Sequence, residues 1–190
     1  MKRTALFGAI VAALAAAPGV VLADMNYTNL EVNYLDLEVG DGADINGDGF
    51  EFGGSWELND QFHLFGSWQE QSLDFGIDGR TMEFGGGWNH GFTDTLDFVG
   101  TLSYVDAELE DDFNTVSDDG LALGGGIRSR LGDSFEVDAS LKYVDFDESG
   151  SDTGLSLGGR YYFNDSMALG ASLDSNDNAD TLRLGFRWEF

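Results

Sequence analysis

Apolar and polar residues alternate along most of this chain, and one seven-residue pattern recurs five times. Each copy begins with Phe or Leu, continues with Gly, and carries Trp, Tyr or Ile at its fifth position. The copies cover residues 52–58, 84–90, 123–129, 157–163 and 184–190. A period of two puts successive side chains on opposite faces of a β-strand, whereas a helix would repeat every 3.6 residues. The pattern therefore predicts five strands, each with one apolar and one polar face.

Partner strands are predicted between these copies. Short connections, each ending in an Asp that favours tight reversal, lie at 58–60, 92–94, 131–133 and 163–165. Longer, Asp-rich connections lie at 40–47, 75–79, 110–117, 149–152 and 175–179. With an opening strand near 26–39, the alternation predicts about ten strands. Eight strands, with the last hairpin merged or lost, is the alternative.

The opening strand changes parity halfway along. Leu30, Val32 and Tyr34 share one face, whereas Leu35 and Leu37 share the other. A β-bulge inserts one extra residue and would bring both sets to the same face. The sequence therefore predicts a bulge in this strand.

Strands with one apolar and one polar face suit a closed barrel that has lipid outside and polar groups inside. The predicted fold class is an all-β, transmembrane, antiparallel meander β-barrel. A soluble β-sandwich, which would bury the apolar faces, is the alternative. Aromatic residues near the short turns favour the barrel because they would form a girdle at the membrane interface. These girdle candidates are Trp56, Trp88, Tyr161 and Trp188, and the terminal Phe190 also favours the barrel.

The first residues form a separate segment. Lys2 and Arg3 precede an apolar run at 6–17, a Pro-Gly pair follows, and small residues end at Ala23. This order is typical of a cleaved secretory signal peptide over residues 1–23, with the barrel over 24–190. A retained membrane helix is the alternative, but the apolar run is short for a membrane span.

The composition is acidic, with 35 Asp and Glu, 9 Lys and Arg and a formal net charge of −26. No basic patch is available for phosphates, which argues against nucleic acid as a partner. The chain has no cysteine, which excludes a disulfide scaffold.

The parity of the charged residues predicts a polar lumen. Inward parity is shared by the basic residues Arg128, Arg130, Lys142, Arg160, Arg183 and Arg187, and by the acids Glu31, Glu51, Glu57, Glu83, Asp97, Glu136, Asp138 and Glu189. Lone buried charges are costly, so we expect these groups to pair across the lumen. The glycines at 53, 85, 124, 158 and 185 share this parity and leave room for them. Because small barrels are filled by side chains, the predicted lumen is plugged or very narrow.

Two features of the sequence are candidate chemical sites. Asp44, Asn46 and Asp48 match the first half of a calcium loop, but the twelfth position is Ser55 instead of an acid. A polar hairpin loop is the alternative to this weak calcium site, and no other cofactor is predicted. The two histidines, His63 and His90, fall near the short turns. We expect His63 to hydrogen-bond inside the barrel, near Glu57 or Asp97, and we predict no catalytic residue.

The C-terminal Leu184-Gly185-Phe186-Arg187-Trp188-Glu189-Phe190 resembles the final strand of the small outer-membrane β-barrel superfamily. In that group, a terminal Phe with alternating apolar partners is read by the barrel-assembly machinery. Residues 62–66 followed by Gln69-Glu70-Gln71 resemble the outer-membrane barrels regulated by diffusible signal factor, which are linked to surface and biofilm phenotypes.

The resemblance implies insertion into the outer membrane by periplasmic chaperones and the barrel-assembly machinery. We expect a monomer in contact with outer-membrane lipid and lipopolysaccharide. The expected function is structural or surface-interactive: envelope integrity, adhesion or biofilm. A narrow, cation-preferring channel is the alternative. A hydrolase at the outer rim is disfavoured, because both histidines lie at the opposite end of the predicted barrel.

Overall fold

The computed structural model describes residues 25–39, 45–111, 113–177 and 179–190. The predicted signal peptide and Asp44 lie outside the described residues. Ten strands account for nearly all of the rest: β1 Asn29–Val39, β2 Ile45–Asn59, β3 Phe62–Leu73, β4 Ile77–Thr93, β5 Leu96–Glu110, β6 Thr115–Leu131, β7 Phe135–Phe146, β8 Gly150–Asn164, β9 Met167–Ser175 and β10 Ala179–Glu189. A single 3-10 turn, Asp74–Gly76, joins β3 to β4. In the described part of the chain, no helix is long and apolar enough to cross a membrane.

The strands form one closed antiparallel barrel in which each strand pairs with its neighbours in sequence. β1 closes the barrel on β10, with Asn29 opposite Glu189 and Val39 opposite Ala179. Closure leaves no strand edge with unpaired backbone groups, which is the condition for crossing lipid with strands. The predicted all-β meander barrel of ten strands is thus confirmed.

The five copies of the repeat lie on β2, β4, β6, β8 and β10. Their first residues, among them Phe52, Phe84 and Leu123, project from the outer face, where they are exposed. Other exposed aromatic and aliphatic side chains continue this belt around the barrel. An apolar outer face of this extent is what a hydrocarbon environment requires.

Two ends of the barrel are named here by their connections. The turn end carries the short connections 60–61, 94–95, 132–134 and 165–166, together with Asn29 and Glu189. The loop end carries the other connections. In outer-membrane barrels the short turns are periplasmic.

The predicted bulge in β1 is wrong. β1 pairs with both β2 and β10 in continuous register over its whole length. Leu35 and Leu37 are consequently buried inside the barrel, and Asp36 between them is exposed outside. The parity change therefore marks the point along β1 at which the apolar side chains move from the outer face to the lumen.

The same reversal recurs on other strands towards the loop end. Val105 on β5 and Ala122 on β6 are buried inside, and Val105 is followed by Asp106 on the outer face, opposite Asp119 of β6. Beyond the apolar belt the outer face meets water, so acids are favoured outside, while apolar side chains pack within the narrow lumen. The barrel therefore projects beyond the belt with its amphipathic pattern inverted.

The connections at the loop end are shorter than the sequence predicted. β4 and β6 each run for 17 residues, and β2 and β5 each run for 15. Much of the Asp-rich sequence at 110–117 and 75–79 is therefore strand. The sequence did not identify these segments as strand because their outer faces carry polar residues, which are also typical of loops.

Candidate functional site in the barrel lumen

Glu136 of β7 is the centre of a charged network inside the turn half of the lumen. Its side chain is almost fully buried, with 1% of the residue exposed. It accepts hydrogen bonds from Arg128 at 2.8 Å and from Arg160 at 3.1 Å, and the Tyr162 hydroxyl oxygen lies 3.2 Å from it. Arg187 lies at 3.5 Å from the same carboxylate. One carboxylate thus gathers guanidinium groups from β6, β8 and β10.

Glu189, next to the C-terminus, forms a second centre. Tyr162 donates to it at 2.5 Å and Arg128 donates at 3.3 Å. Arg130 lies 3.8 Å from the Glu189 carboxylate and 3.6 Å from Glu136. The Arg130 guanidinium also covers the Tyr162 ring at 4.3 Å, a cation–π geometry. The final strand is therefore tied to β6 and β8 across the lumen.

Two further acids complete this network. Glu31 pairs with Arg187 and lies 3.9 Å from Arg160. Asp138 pairs with Arg160 at 2.5 Å. The members are Arg128, Arg130, Arg160 and Arg187 with Glu31, Glu136, Asp138 and Glu189. Because positive and negative groups are equal in number, the network can stay buried without an uncompensated charge.

A second set of pairs lies nearer the loop end. Lys142 binds Glu83 at 2.5 Å, and the Ser103 hydroxyl donates to the same acid at 2.6 Å. Arg183 pairs with Asp174 and lies 3.6 Å from Glu51. The structure thus brings each of the six inward basic residues of the sequence prediction to a carboxylate in the lumen.

The residues before β1 also enter the lumen at the turn end. Tyr27 is 5% exposed, its ring stacks on His63 at 4.8 Å, and its hydroxyl donates to Asp97 at 2.8 Å. The Arg128 guanidinium lies 4.9 Å from the ring centre and donates to the Asn26 carbonyl at 2.8 Å. Burial raises the pKa of the Tyr27 phenol, and Arg128 partly opposes that rise. The phenol is therefore a hydrogen-bond donor at any physiological pH.

The two histidines lie at the turn end, as the sequence predicted. His63 is buried and its Nδ1 lies 3.4 Å from the side-chain oxygen of Asn89. The expected partner Asp97 is bound by Tyr27 instead, and Glu57 lies opposite His63 in the strand register. His90 lies on the outer face, stacked on Trp88 at 5.6 Å. Neither ring can reach the outer rim.

Glycines make room for several of the lumen side chains. A Cβ at Gly158 would lie 2.7 Å from the Asp138 carboxylate, and one at Gly185 would lie 1.8 Å from the Asn33 amide oxygen. A Cβ at Gly124 would lie 2.2 Å from the Thr101 hydroxyl. The inward glycine layer expected from the sequence is therefore filled by polar side chains of neighbouring strands.

A cavity of about 370 Å³ lies in the lumen against the charged network, and Glu31, Arg128, Asp138, Arg160 and Arg187 are among its lining residues. Tyr27, His63 and Arg128 border it near the turn end, and Thr101 and Lys142 also line it. The cavity is a pocket within the lumen whose lower boundary includes the segment before β1.

The girdle candidates lie on the outer face near the turn end. Trp56 and Phe190 approach with ring centres 6.1 Å apart, and Trp188 lies 5.3 Å from Phe190. Tyr161 packs on Phe135 at 5.0 Å. These aromatic side chains are exposed, as expected for groups at a lipid–water interface.

Two exposed phenylalanines mark the loop end. Phe75, in the 3-10 turn, is 85% exposed and has a left-handed φ of 69°. Phe113, at the tip of the β5–β6 hairpin, is 89% exposed. Its turn is held by Asp111, which accepts from the backbone N–H of Phe113 at 2.7 Å and of Asn114 at 2.8 Å. Asp78 of β4 lies opposite Glu110 of β5. The 3-10 turn that carries Phe75 precedes β4 and the hairpin that carries Phe113 follows β5, so both turns adjoin this pair of strands.

The calcium candidate stays a prediction. Asn46 and Asp48 belong to β2 and share the outer face with Phe50, while Asp44 lies outside the described residues. The Asn46 backbone N–H donates to the Asp74 carboxylate at 3.0 Å. Among the residues that the structure describes, no group of three or more His, Cys, Asp or Glu side chains could hold a metal ion.

Sequence reasoning missed Tyr27 and Tyr162 as members of the lumen. Tyr162 shares inward parity with Arg160, and Tyr27 shares it with Asn29 and Glu31, so alternation carried a signal for both. Both were overlooked because parity was used to place only the charged residues in the lumen.

Comparisons with known proteins identify the fold and not a family. The sequence matches no protein-family model, and a comparison with curated proteins finds no match. Among solved structures, the β domain of the Bordetella autotransporter BrkA has a TM-score of 0.52 at 13% identity, covering 87% of this chain and 100% of that one.

Two further solved structures are similar at lower TM-scores. The attachment invasion locus protein Ail of Yersinia pestis has a TM-score of 0.45 at 18% identity, over 87% of this chain and all of that one. A KdgM porin has a TM-score of 0.45 at 13% identity, over 84% and 99%. At these identities the likeness shows the fold alone: the chain has the fold of small outer-membrane β-barrels.

Proposed function

We propose that this protein is a monomeric outer-membrane barrel whose lumen is closed and whose role is structural or surface-interactive. The observation that carries the proposal is the lumen network centred on Glu136, together with Tyr27 beside it. Buried ion pairs fix their surroundings, because removing either partner leaves an uncompensated charge. Ion pairs that cross the lumen obstruct diffusion and make the barrel rigid. Such a barrel suits a membrane anchor that presents its loop end at the surface better than it suits a diffusion pore.

The surface that such an anchor would present is the loop end. Phe75 and Phe113 are exposed there, and the acids Glu108 and Glu110 lie on the part of β5 that leads to the Phe113 tip. Exposed aromatic residues are favoured in protein contacts, and carboxylates can share the divalent ions that bridge lipopolysaccharide. Adhesion, biofilm behaviour or envelope integrity would each use this end. The resemblance to barrels regulated by diffusible signal factor points in the same direction.

The proposal includes the route to the membrane. The outer girdle and the C-terminal Phe190 fit recognition by the barrel-assembly machinery after passage with periplasmic chaperones. The apolar belt fits direct contact with outer-membrane lipid around the whole barrel, which favours a monomer. No catalytic role is proposed, because the histidines lie in the lumen floor and on the lipid face.

A narrow, cation-preferring channel is the second candidate. The specific observation in its favour is the cavity of about 370 Å³ inside the lumen. Acids such as Asp118, Asp152 and Asp174 lie on the strands towards the loop end, and carboxylates there would attract cations. This candidate requires a path past the charged network.

The surface role is tested with a strain that lacks the gene. We expect such a strain to lose adhesion or biofilm, and wild-type protein to restore it. The double variant Phe75→Ser and Phe113→Ser should insert normally, seen as a heat-modifiable band, yet fail to restore the phenotype. Asn114→Ser changes the same tip but keeps Phe113, so it is the matched control. An unchanged phenotype in the deletion strain would contradict the surface role.

A further inference from the structure

We propose that residues 25–28 are a displaceable plug, and that their release converts the closed barrel into a channel for small cations. This inference goes beyond the proposed structural role, since it gives the barrel a latent transport activity. It rests on the contacts of Tyr27, on the position of the cavity beside it, and on the charges that line the space it fills.

The plug is held by side chains from four different strands. The Ser55 hydroxyl of β2 donates to the Tyr27 carbonyl, His63 of β3 stacks on the ring, Asp97 of β5 accepts from its hydroxyl, and Arg128 of β6 covers the ring. Tyr27 therefore fills the β2–β6 side of the lumen at the turn end. The charged network fills the opposite side, where Glu136 and Glu189 come from β7 and β10.

The plug can leave without opening the barrel wall. Residues 25–28 belong to no strand, and the pairing of β1 with its neighbours begins at Asn29. The segment is attached mainly through side chains: Arg128 donates to the Asn26 carbonyl, and the Thr28 hydroxyl accepts from the Glu57 backbone N–H at 3.1 Å. The Thr28 carbonyl also accepts a backbone hydrogen bond from the Phe190 N–H at 3.3 Å. Displacement breaks that bond, leaves the strand pairing from Asn29 onward intact and changes the lumen.

Release of the plug would join the cavity to the turn end. Tyr27 itself borders the cavity of about 370 Å³, so removing its ring takes away part of the cavity floor. Arg128 would stay on the far side, because Glu136 and Glu189 hold it at 2.8 and 3.3 Å. The path is therefore the space now occupied by the phenol.

The charges around that space favour cations. Asp97 would lose its hydrogen bond from Tyr27, and Glu57 lies in the wall of the same region, opposite His63. The carboxylates of Asp97 and Glu57 would thus face the path. Arg128 also borders it, but its positive charge is neutralised by the ion pair with Glu136. Rings of carboxylates select cations in pores.

The test is single-channel recording of refolded full-length barrels in planar bilayers, with potassium chloride as the permeant salt. We compare wild type, Tyr27→Ala, and Tyr143→Ala, which removes an exposed Tyr from the outer face instead. We expect Tyr27→Ala to show steady, cation-selective conductance steps, with at least about tenfold more open time than wild type. Closed and open conformations of a protein commonly differ by only a few kcal/mol, so losing the contacts of one ring shifts their populations by such a factor. The control should behave like wild type.

A second measurement follows the plug directly. The chain has no cysteine, so Ser140→Cys introduces a single thiol in the lining of the cavity behind the plug. We expect a membrane-impermeant maleimide, added at the turn end, to label this thiol slowly when Tyr27 is present and at least about tenfold faster with Tyr27→Ala. Equal labelling in both backgrounds would overturn the plug.

The outcomes separate the plug from the proposed closed barrel. Silence in both wild type and Tyr27→Ala, with faster labelling only in the variant, would overturn the cation path and leave the closed barrel intact. Equal, steady conductance in both proteins would overturn the plug and contradict the closed barrel as well. Conductance that appears in the Tyr143→Ala control would also overturn the assignment to Tyr27.

Discussion

Arg128 donates to Glu136 across 2.8 Å, although the two residues are not opposite each other in the sheet. In the register of β6 and β7, Arg130 lies opposite Glu136, and Asp138 lies opposite Arg128. Arg128 therefore reaches diagonally towards the turn end, and Asp138 binds Arg160 of β8 instead. This exchange of partners converts pairs along the wall into a network that crosses the lumen.

Glu136→Gln tests how strongly the network stabilises the barrel. The variant leaves Arg128, Arg160 and Arg187 without their shared carboxylate, and breaking a buried pair costs about 3–5 kcal/mol. We expect the free energy of unfolding, measured by urea titration in detergent micelles, to fall by about that amount.

Glu70→Gln is the matched control for that experiment, because Glu70 is an exposed acid on the outer face. Surface substitutions of this kind change stability by about 0.5 kcal/mol or less. Equal stability of Glu136→Gln and Glu70→Gln would mean that the network contributes nothing to the fold.

Gly85 and Gly86 are neighbours that test the packing of the lumen. A Cβ on Gly85 would lie 2.3 Å from the Leu102 carbonyl oxygen, whereas one on Gly86 meets only the His63 carbonyl oxygen at 3.8 Å. We expect Gly85→Ala to destabilise the barrel by about 1–3 kcal/mol through overpacking. Gly86→Ala should be tolerated in the same urea titration, and equal losses would contradict the assignment of the two faces.

Leu35 and Asp36 test the inverted pattern near the loop end. Leu35 is fully buried in the lumen and Asp36 is exposed outside. Leu35→Asn should lower the free energy of unfolding by about 2–5 kcal/mol, because it removes buried apolar surface and buries an amide. Asp36→Asn should leave it nearly unchanged. A larger loss of stability for Asp36→Asn than for Leu35→Asn would contradict the observed register and support the bulge that the sequence predicted.

Deletion of Phe190 tests the proposed assembly signal. The ring packs near Trp56 and Trp188 at the girdle, outside the lumen network. We expect less heat-modifiable barrel at the surface and induction of envelope stress, whereas Phe113→Ser should assemble normally. Normal surface levels after deletion would show that assembly does not depend on Phe190.

The strands and their faces followed from the sequence because one physical rule governs them along most of their length. Apolar side chains at alternate positions, such as Phe52 and Trp56, face outward wherever the outer surface meets lipid. The rule reversed at Leu35, where the outer surface meets water, so the prediction of a bulge was wrong. A strand whose outer face passes from lipid to water shows the same change of apolar parity as a strand with a β-bulge, so the sequence alone does not distinguish the two.

The lumen charges could be placed but not paired. Parity put Arg128, Asp138 and Glu136 inside, yet strand register alone would pair Arg128 with Asp138. The observed diagonal contact depends on side-chain length and on acids from β1 and β10, which are distant in sequence. Tyr27 was missed because parity was applied only to charged residues, and its contacts come from β2, β3, β5 and β6, which alternation alone does not bring together.

Single-channel recording of the refolded wild-type protein, with insertion verified and with or without millimolar calcium, tests the closed barrel most directly. The network around Glu136 and the ring of Tyr27 predict a silent bilayer under both conditions. Steady cation-selective steps from the wild-type protein, altered by Arg128→Ala or Arg160→Ala, would contradict the closed barrel and make the inward charges the filter of a pore.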